Sequence, residues 1–220
     1  MEKRRNWFLR VFDIKLIVLD LWKITGLLFF YLWFRTKRIF LNKKEKGWSK
    51  GSYIIATNHV AWEDHFVIMT ALPFRRICHV AADNLFKGKW GWFFKLVGTI
   101  PIDKENGSYS AVKKVKKTLY NGHVVCMYPE GVLDEEGLKD FKGGVALMAA
   151  FAKVDILPIY IGKRKKRFQR KVVIIGERIK YQDLFKSHIP TREEISDANA
   201  VLIEKEKELE NKYKELYETR

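Results

Sequence analysis

Between Ser52 and Ile175, short runs rich in β-branched residues alternate with stretches of helical pattern, and this alternation limits the chain to few architectures. The runs are Ser52 to Thr57, Ile77 to Ala82, Val97 to Ile102, Val124 to Met127, Ile156 to Ile161 and Val172 to Ile175. Helical pattern lies between them at Asp64 to Ala71, Ser108 to Tyr120 and Gly144 to Lys153, the second stopped by Asn121-Gly122. Near-continuous apolar strands separated by helices predict an α/β domain with a largely parallel sheet, because parallel strands are covered on both faces and need crossover helices.

The ends differ from this middle. Residues 1–40 predict a membrane-associated helix or helix pair dense in aromatics, among them Trp7, Trp22, Phe29, Phe30, Tyr31, Trp33 and Phe34. Arg10, Asp13, Lys15, Asp20 and Lys23 interrupt the segment, and its longest uncharged stretch, Ile24 to Phe34, is shorter than the roughly 18 to 20 apolar residues of a spanning helix. An interfacial helix bent near Gly26, a span with snorkelling charges and a helix buried on the domain's own core all fit that pattern. A basic linker from Arg35 to Gly51 leads into the α/β domain, assigned to 41–189. The remaining 190–220 predict a charged helix opening on a capping box, Thr191 with Glu194.

Lys and Arg outnumber Asp and Glu by 42 to 26, a net charge of +16, so the surface attracts a polyanion or an anionic membrane. Aromatics make up 14% of the chain and keep company with Leu, Ile and Val, as in the second knot from Phe86 to Phe94. Nothing matches an RRM, a zinc finger or an isolated basic helix, so an anionic phospholipid membrane is the expected partner and nucleic acid is not. The lysines at 113, 114, 116 and 117 and the run Lys163 to Arg167 read as a solvated face or a contact with anionic lipid. Cys78 and Cys126 sit inside apolar runs with no C-x-x-C pairing and no secretory leader ahead of them, the usage of a reduced cytosolic protein.

The sharpest local feature is Asn58-His59-Val60-Ala61-Trp62-Glu63-Asp64 directly after the first strand. In a βα unit that position is the carboxyl end of the strand, where α/β sheets hold their ligands. An Asp in the first helical turn that accepts from one imidazole nitrogen leaves the other nitrogen as a base, a dyad suited to deprotonating an alcohol. Two alternatives stand beside it: a hydrogen-bonded turn histidine with Asp64 serving the helix N-terminus, and a metal site of His59, Asp64 and His65 that lacks a second ligand cluster.

Further blocks follow in order: Gly98 to Lys104 with Ile102-Asp103, Tyr128-Pro129-Glu130-Gly131, a helix entry at Phe141-Lys142-Gly143-Gly144, and Pro158 within a strand. Each alone has a plain structural reading, Pro158 as an edge-strand residue among them. Together they resemble the lysophosphatidate acyltransferase family of glycerolipid acyltransferases: N-H-x-S-x-x-D at Asn58, His59 and Asp64; G-x-x-x-I-D-R at Gly98, Ile102 and Asp103; F-P-E-G-T-R at Pro129, Glu130 and Gly131; and the proline-bearing strand at Pro158. The resemblance covers about residues 52–162. It implies a glycerolipid acyltransferase-like α/β fold, His59 and Asp64 as catalytic pair, a lysophospholipid acceptor and acyl-carrier protein or coenzyme A thioester as donor, with no cofactor and no metal. Asn58, Gly98, Asp103, Lys104, Glu130, Gly131 and Lys142 are the expected substrate-binding residues, and the cytoplasmic face of the cell membrane is the expected location, peripheral or monotopic. The chain departs from the family at Ala61, Lys104, Val132 and Leu133, where Ser, Arg, Thr and Arg are usual; two lost guanidiniums weaken the expected phosphate clamp, because Lys has no bidentate fork. A different lysolipid acceptor, or a basic membrane-binding module on the same fold, are the alternatives.

Overall fold

The computed structural model describes residues 16–45, 51–103, 109–129, 143–164 and 169–218. Seven strands form one sheet: β1 (Lys37–Phe40), β2 (Tyr53–Thr57), β3 (Ile77–Ala82), β4 (Ile100–Ile102), β5 (Val124–Met127), β6 (Asp155–Ile161) and β7 (Val172–Ile175). Their order is β1-β7-β6-β2-β5-β3-β4. All neighbours are parallel except β6 and β7, so β1 and β7 run against the other five. The α/β class and the largely parallel sheet expected from the alternation are present.

Every residue of β2 and β5 is buried, as strands covered on both faces require. Alternate residues serve different layers. Ile54 and Ala56 face α4 (Tyr109–Tyr120), α5 (Gly144–Ala152) and α7 (Arg192–Tyr217) through Val115, Leu119, Ala146, Ala149 and Leu202. Tyr53 and Ile55 face the opposite layer, α1 (Ile17–Phe34) and α2 (Asp64–Ala71), through Phe34, Val67, Ile68 and Ala71. The described residues also include two short α-helices, α3 (Gly91–Leu96) and α6 (Tyr181–Leu184).

Several readings need correction. The stretch from Arg35 to Gly51 is not only a linker: it holds β1, whose Lys37 to Phe40 pair with Val172 to Ile175. The strand expected over Val97 to Ile102 is confined to Ile100–Ile102, and the aromatic knot before it folds as α3, since a short apolar run does not distinguish strand from helix. The two are joined at Gly98, whose φ of +77° and tight approach to Leu16 and Cys78 leave no room for a Cβ. Pro158 lies in the interior strand β6, not at an edge. Its missing N–H falls at a bulge, where two residues between Ile156 and Ile159 face three between Ile175 and Ile179, and its carbonyl accepts from Gly176 N at 3.0 Å. The C-terminal helix does open on the capping box, Glu194 N donating to Thr191 Oγ1 at 3.2 Å and Thr191 N to Glu194 Oε2 at 3.0 Å. It is also an integral part of the domain, because Ala198, Leu202, Leu209 and Tyr213 recur on one buried face.

Helix α1 bends by 51° between Ile17–Gly26 and Leu28–Phe34. Thr25 Oγ1 donates back to Leu21 O at 3.0 Å just before Gly26, two features that weaken the ladder at that point. Among the described residues no single helix is long and apolar enough to cross a membrane; the two halves of α1 pass that test only together, across the bend. Its charges turn inward. Asp20 accepts from Arg76 Nε at 3.0 Å, and Lys23 Nζ donates to the carbonyls of Pro73 at 2.8 Å and Arg75 at 2.5 Å. Ile17, Leu21, Ile24, Leu28 and Leu32, spaced along one side, are all more than half exposed. The helix is therefore amphipathic in the inverse sense, docking by its polar side and a few apolar anchors such as Leu19 and Phe34.

Candidate active site

Strand β2 ends at Thr57, and the loop that follows carries Asn58 and His59 to the carboxyl edge of the parallel strands. Met127 of β5 lies level with Ala56, so Tyr128 arrives at the same edge. Asn58 is buried with both ends of its amide committed: Nδ2 donates to Ile161 O at 3.0 Å and Oδ1 accepts from Ile161 N at 2.7 Å. These two bonds form a brace that ties the end of β2 to the end of β6.

His59 Nδ1 lies 3.1 Å from Asp64 Oδ2. The same oxygen accepts from Val60 N and Ala61 N at 2.8 Å each, and Lys171 Nζ lies 3.4 Å from Oδ1. Four donors converge on one carboxylate, about as many as an ionised carboxylate accepts, so Nδ1 donates and His59 Nε2 is left with its lone pair. Asp64 is fully buried and the His59 side chain is 14% exposed, so the imidazole reaches the surface while its partner does not. The carboxylate thus serves the loop before the helix, folding it around the imidazole, and is not merely a cap for α2.

A stack of rings supports the imidazole from behind. Tyr128 lies against His59 at 4.1 Å between centroids and 24° between planes. Tyr128 Oη is 3.4 Å from His65 Nδ1, and His65 packs on His79 of β3 at 4.8 Å. Burial, and then the nearby His59, lower the His65 pKa to about 4; burial also takes His79 well below the usual histidine range and Tyr128 well above the usual phenol range. These three rings are neutral at pH 7. Cys126, beneath Tyr128, is free and fully buried, and burial raises its thiol, so it is a core residue and no thiolate nucleophile.

Gly98 and Asp103 flank β4, Gly98 in its strained turn and Asp103 at the carboxyl edge. Lys104, Glu130, Gly131 and Lys142, with Val132 and Leu133, lie outside the described residues. No group of three or more His, Cys, Asp or Glu able to hold a metal occurs among the described residues. Three features of the site had no local signal. Lys171 is the last of a series of basic residues before an apolar strand, with nothing to set it apart from them, Asn58's partner is 103 residues away, and Tyr128 reads as a strand end.

A largely parallel sheet that gathers an oriented His–Asp pair at its carboxyl edge is a framework that can serve a group-transfer enzyme. The model of the family described as Acyltransferase matches residues 38–162, more than half of the chain, and the protein is an acyltransferase. The chain is 29% identical over 179 residues to the 1-acyl-sn-glycerol-3-phosphate acyltransferase of Bacillus subtilis (strain 168), covering 79% of this chain and 88% of that protein. It is 33% identical over 146 residues to the Streptococcus pneumoniae (strain ATCC BAA-255 / R6) protein of the same name, covering 66% of this chain and 50% of that one. The crystal structure of the 1-acyl-sn-glycerophosphate (LPA) acyltransferase from Thermotoga maritima shares the fold, with a TM-score of 0.62 at 17% identity over 90% of this chain and 81% of that one. The chain belongs to the lysophosphatidate acyltransferase family.

Proposed function

We propose that the enzyme transfers a fatty acyl group from an acyl-carrier protein or coenzyme A thioester to the free hydroxyl of 1-acyl-glycerol-3-phosphate, giving phosphatidic acid. The observation that carries this reading is the His59–Asp64 pair, with Nδ1 engaged and Nε2 free at an accessible edge. His59 Nε2 takes the hydroxyl proton as the oxygen attacks the thioester carbonyl. The tetrahedral intermediate collapses with cleavage of the C–S bond, and His59 returns the proton to the departing sulfur. Asp64 stabilises the imidazolium, and no acyl-enzyme is required. The relatives' names support the phosphate-bearing acceptor, and Lys104, Lys142, Glu130, Asp103 and the backbone at Gly98 and Gly131 are the residues proposed to bind it.

The enzyme works at the cytoplasmic face of the cell membrane as a peripheral or monotopic protein. The outward apolar side of α1, together with the exposed Trp90 and Trp92, supplies insertion, and the net charge of +16 supplies attraction to anionic lipid. Mass spectrometry of lipids formed by the purified chain, given a panel of lysolipids with acyl-carrier-protein and coenzyme A thioesters, tests the acceptor and donor. Phosphatidic acid as the dominant product is the expected result. Preferred acylation of a neutral or choline-bearing lysolipid overturns the assignment of the acceptor.

A further inference from the structure

We infer that Lys171, a residue outside every motif of the active site, is a positioning residue for the His59–Asp64 pair, holding Asp64 in place through Oδ1 and balancing its charge. The inference rests on the dyad reading above.

Lys171 is 2% exposed, and its ammonium meets two acids that open α2: Asp64 Oδ1 at 3.4 Å and Glu63 Oε1 at 3.8 Å. Its backbone is fixed by the corner between α1 and β1, with N donating to Phe34 O at 3.1 Å and O accepting from Lys37 N at 2.7 Å. The side chain therefore leaves a rigid frame and reaches the site across the sheet edge. A buried ammonium loses several kcal/mol of hydration, and where packing alone matters an apolar residue of similar volume serves at least as well. The residues that follow, Val172 to Ile175, are such residues.

The charge count explains what the cation does. Asp64 and Glu63 are adjacent carboxylates, and with Lys171 the trio carries one net negative charge. When His59 takes the proton of the acceptor hydroxyl, the group of four becomes neutral. Without Lys171, two carboxylates crowd one site, and the balance is restored by protonating one of them or by a more basic imidazole. Either change detunes the base. Of the other titratable groups facing the pair, His65, His79, Tyr128 and Cys126 are held neutral by burial, and Arg164, stacked on Phe34 at 5.1 Å, acts on Glu63 and leaves Asp64 to Lys171.

The test is the pH dependence of kcat and KM for the full chain carrying Lys171→Met, Lys171→Arg and Lys171→Met/Glu63→Gln, with His59→Ala as reference. Lys171→Met is expected to lower kcat by at least about tenfold with KM within about twofold, and to move the acidic limb of kcat/KM up by about one pH unit. Lys171→Arg keeps kcat within about threefold and the limb in place, because the charge is retained. The double variant returns the limb to its wild-type position, because one positive and one negative charge leave together. A Lys171→Met enzyme with a wild-type kcat and profile overturns the inference, as does a loss equal in Lys171→Met and Lys171→Arg. Should Lys171→Met alone not fold, the double variant decides: a wild-type limb supports the role, and a folded but inactive protein overturns it. Full activity of His59→Ala would sink the dyad reading itself, whereas an inactive His59→Ala beside an unchanged Lys171→Met removes only the inference.

Discussion

Asp64→Asn separates the two tasks of the buried carboxylate, because the new amide keeps the shape and loses the charge. Two backbone N–H groups at 2.8 Å force its oxygen toward the loop, so the NH₂ group faces Lys171. In that orientation His59 Nδ1 still has an acceptor, and the tautomer is retained. What disappears is the field on the imidazolium. A full charge pair at 3.1 Å is worth roughly 5 kcal/mol at an effective dielectric of about 20. The ring spreads its charge and acquires only part of it in the transition state, so about half of that figure, and hence about a hundredfold in kcat, is the expected loss. KM for either substrate stays within about twofold, since the missing interaction exists chiefly in the transition state. Lys171 is stranded against an amide, and the fold should lose about 3 kcal/mol, the usual result of breaking a buried pair. Steady-state kinetics by thiol release, paired with urea denaturation, reads both quantities. An Asp64→Asn enzyme with kcat within threefold of wild type would refute the electrostatic argument, leaving Asp64 as a brace of the loop.

Replacing His59 by Ala should remove at least about two orders of magnitude of acyl transfer without a shift in melting temperature, and near-normal turnover would discard it as the base. Asn58→Ala breaks two buried hydrogen bonds to Ile161 and should cost about 2 kcal/mol of stability by denaturant titration; an unchanged midpoint would show that the brace is dispensable. The depressed His65 pKa makes the unfolded state bind more protons between about pH 4 and 6.5, so stability falls with falling pH across that window, by up to roughly 3 kcal/mol from this group. His65→Phe should flatten that slope in thermal melts, and an unaltered slope would assign the acid sensitivity elsewhere. Ile24→Gln with Leu28→Gln, both on the outward side of α1, should weaken sedimentation with anionic vesicles and leave the melting temperature alone. Undiminished vesicle binding would move the anchor to Trp90 and Trp92. Deleting residues 1–40 is not a clean version of this experiment, because it removes β1 and the buried Leu19 and Phe34.

The amino-acid sequence by itself determined what depends on near neighbours along the chain. Runs of Val and Ile alternating with helical stretches specify strands and crossovers, and therefore a parallel sheet whose carboxyl edge collects the loops. The spacing from His59 to Asp64 brings base and carboxylate together across one turn, and Thr191 with Glu194 marks a helix start, since each contact closes within a few residues. Gly26 likewise marks the bend in α1. The tertiary structure alone decided the contacts that close over long distances. Lys171 reaches Asp64 only because β7 is inserted between β1 and β6, parallel to β1 and reversed against β6, an arrangement with no periodic signature. Tyr128 stacks on His59 because β5 lies beside β2, and Asn58 meets Ile161 because β6 lies on its other side. The orientation of α1 is of the same kind. Its charges are scattered in sequence, yet Asp20 and Lys23 find Arg76 and two carbonyl groups on the domain, so the apolar side is the one left facing outward. A buried charge is tolerable only beside its partner, and the partner's position is set by strand order, which local residue pattern does not encode.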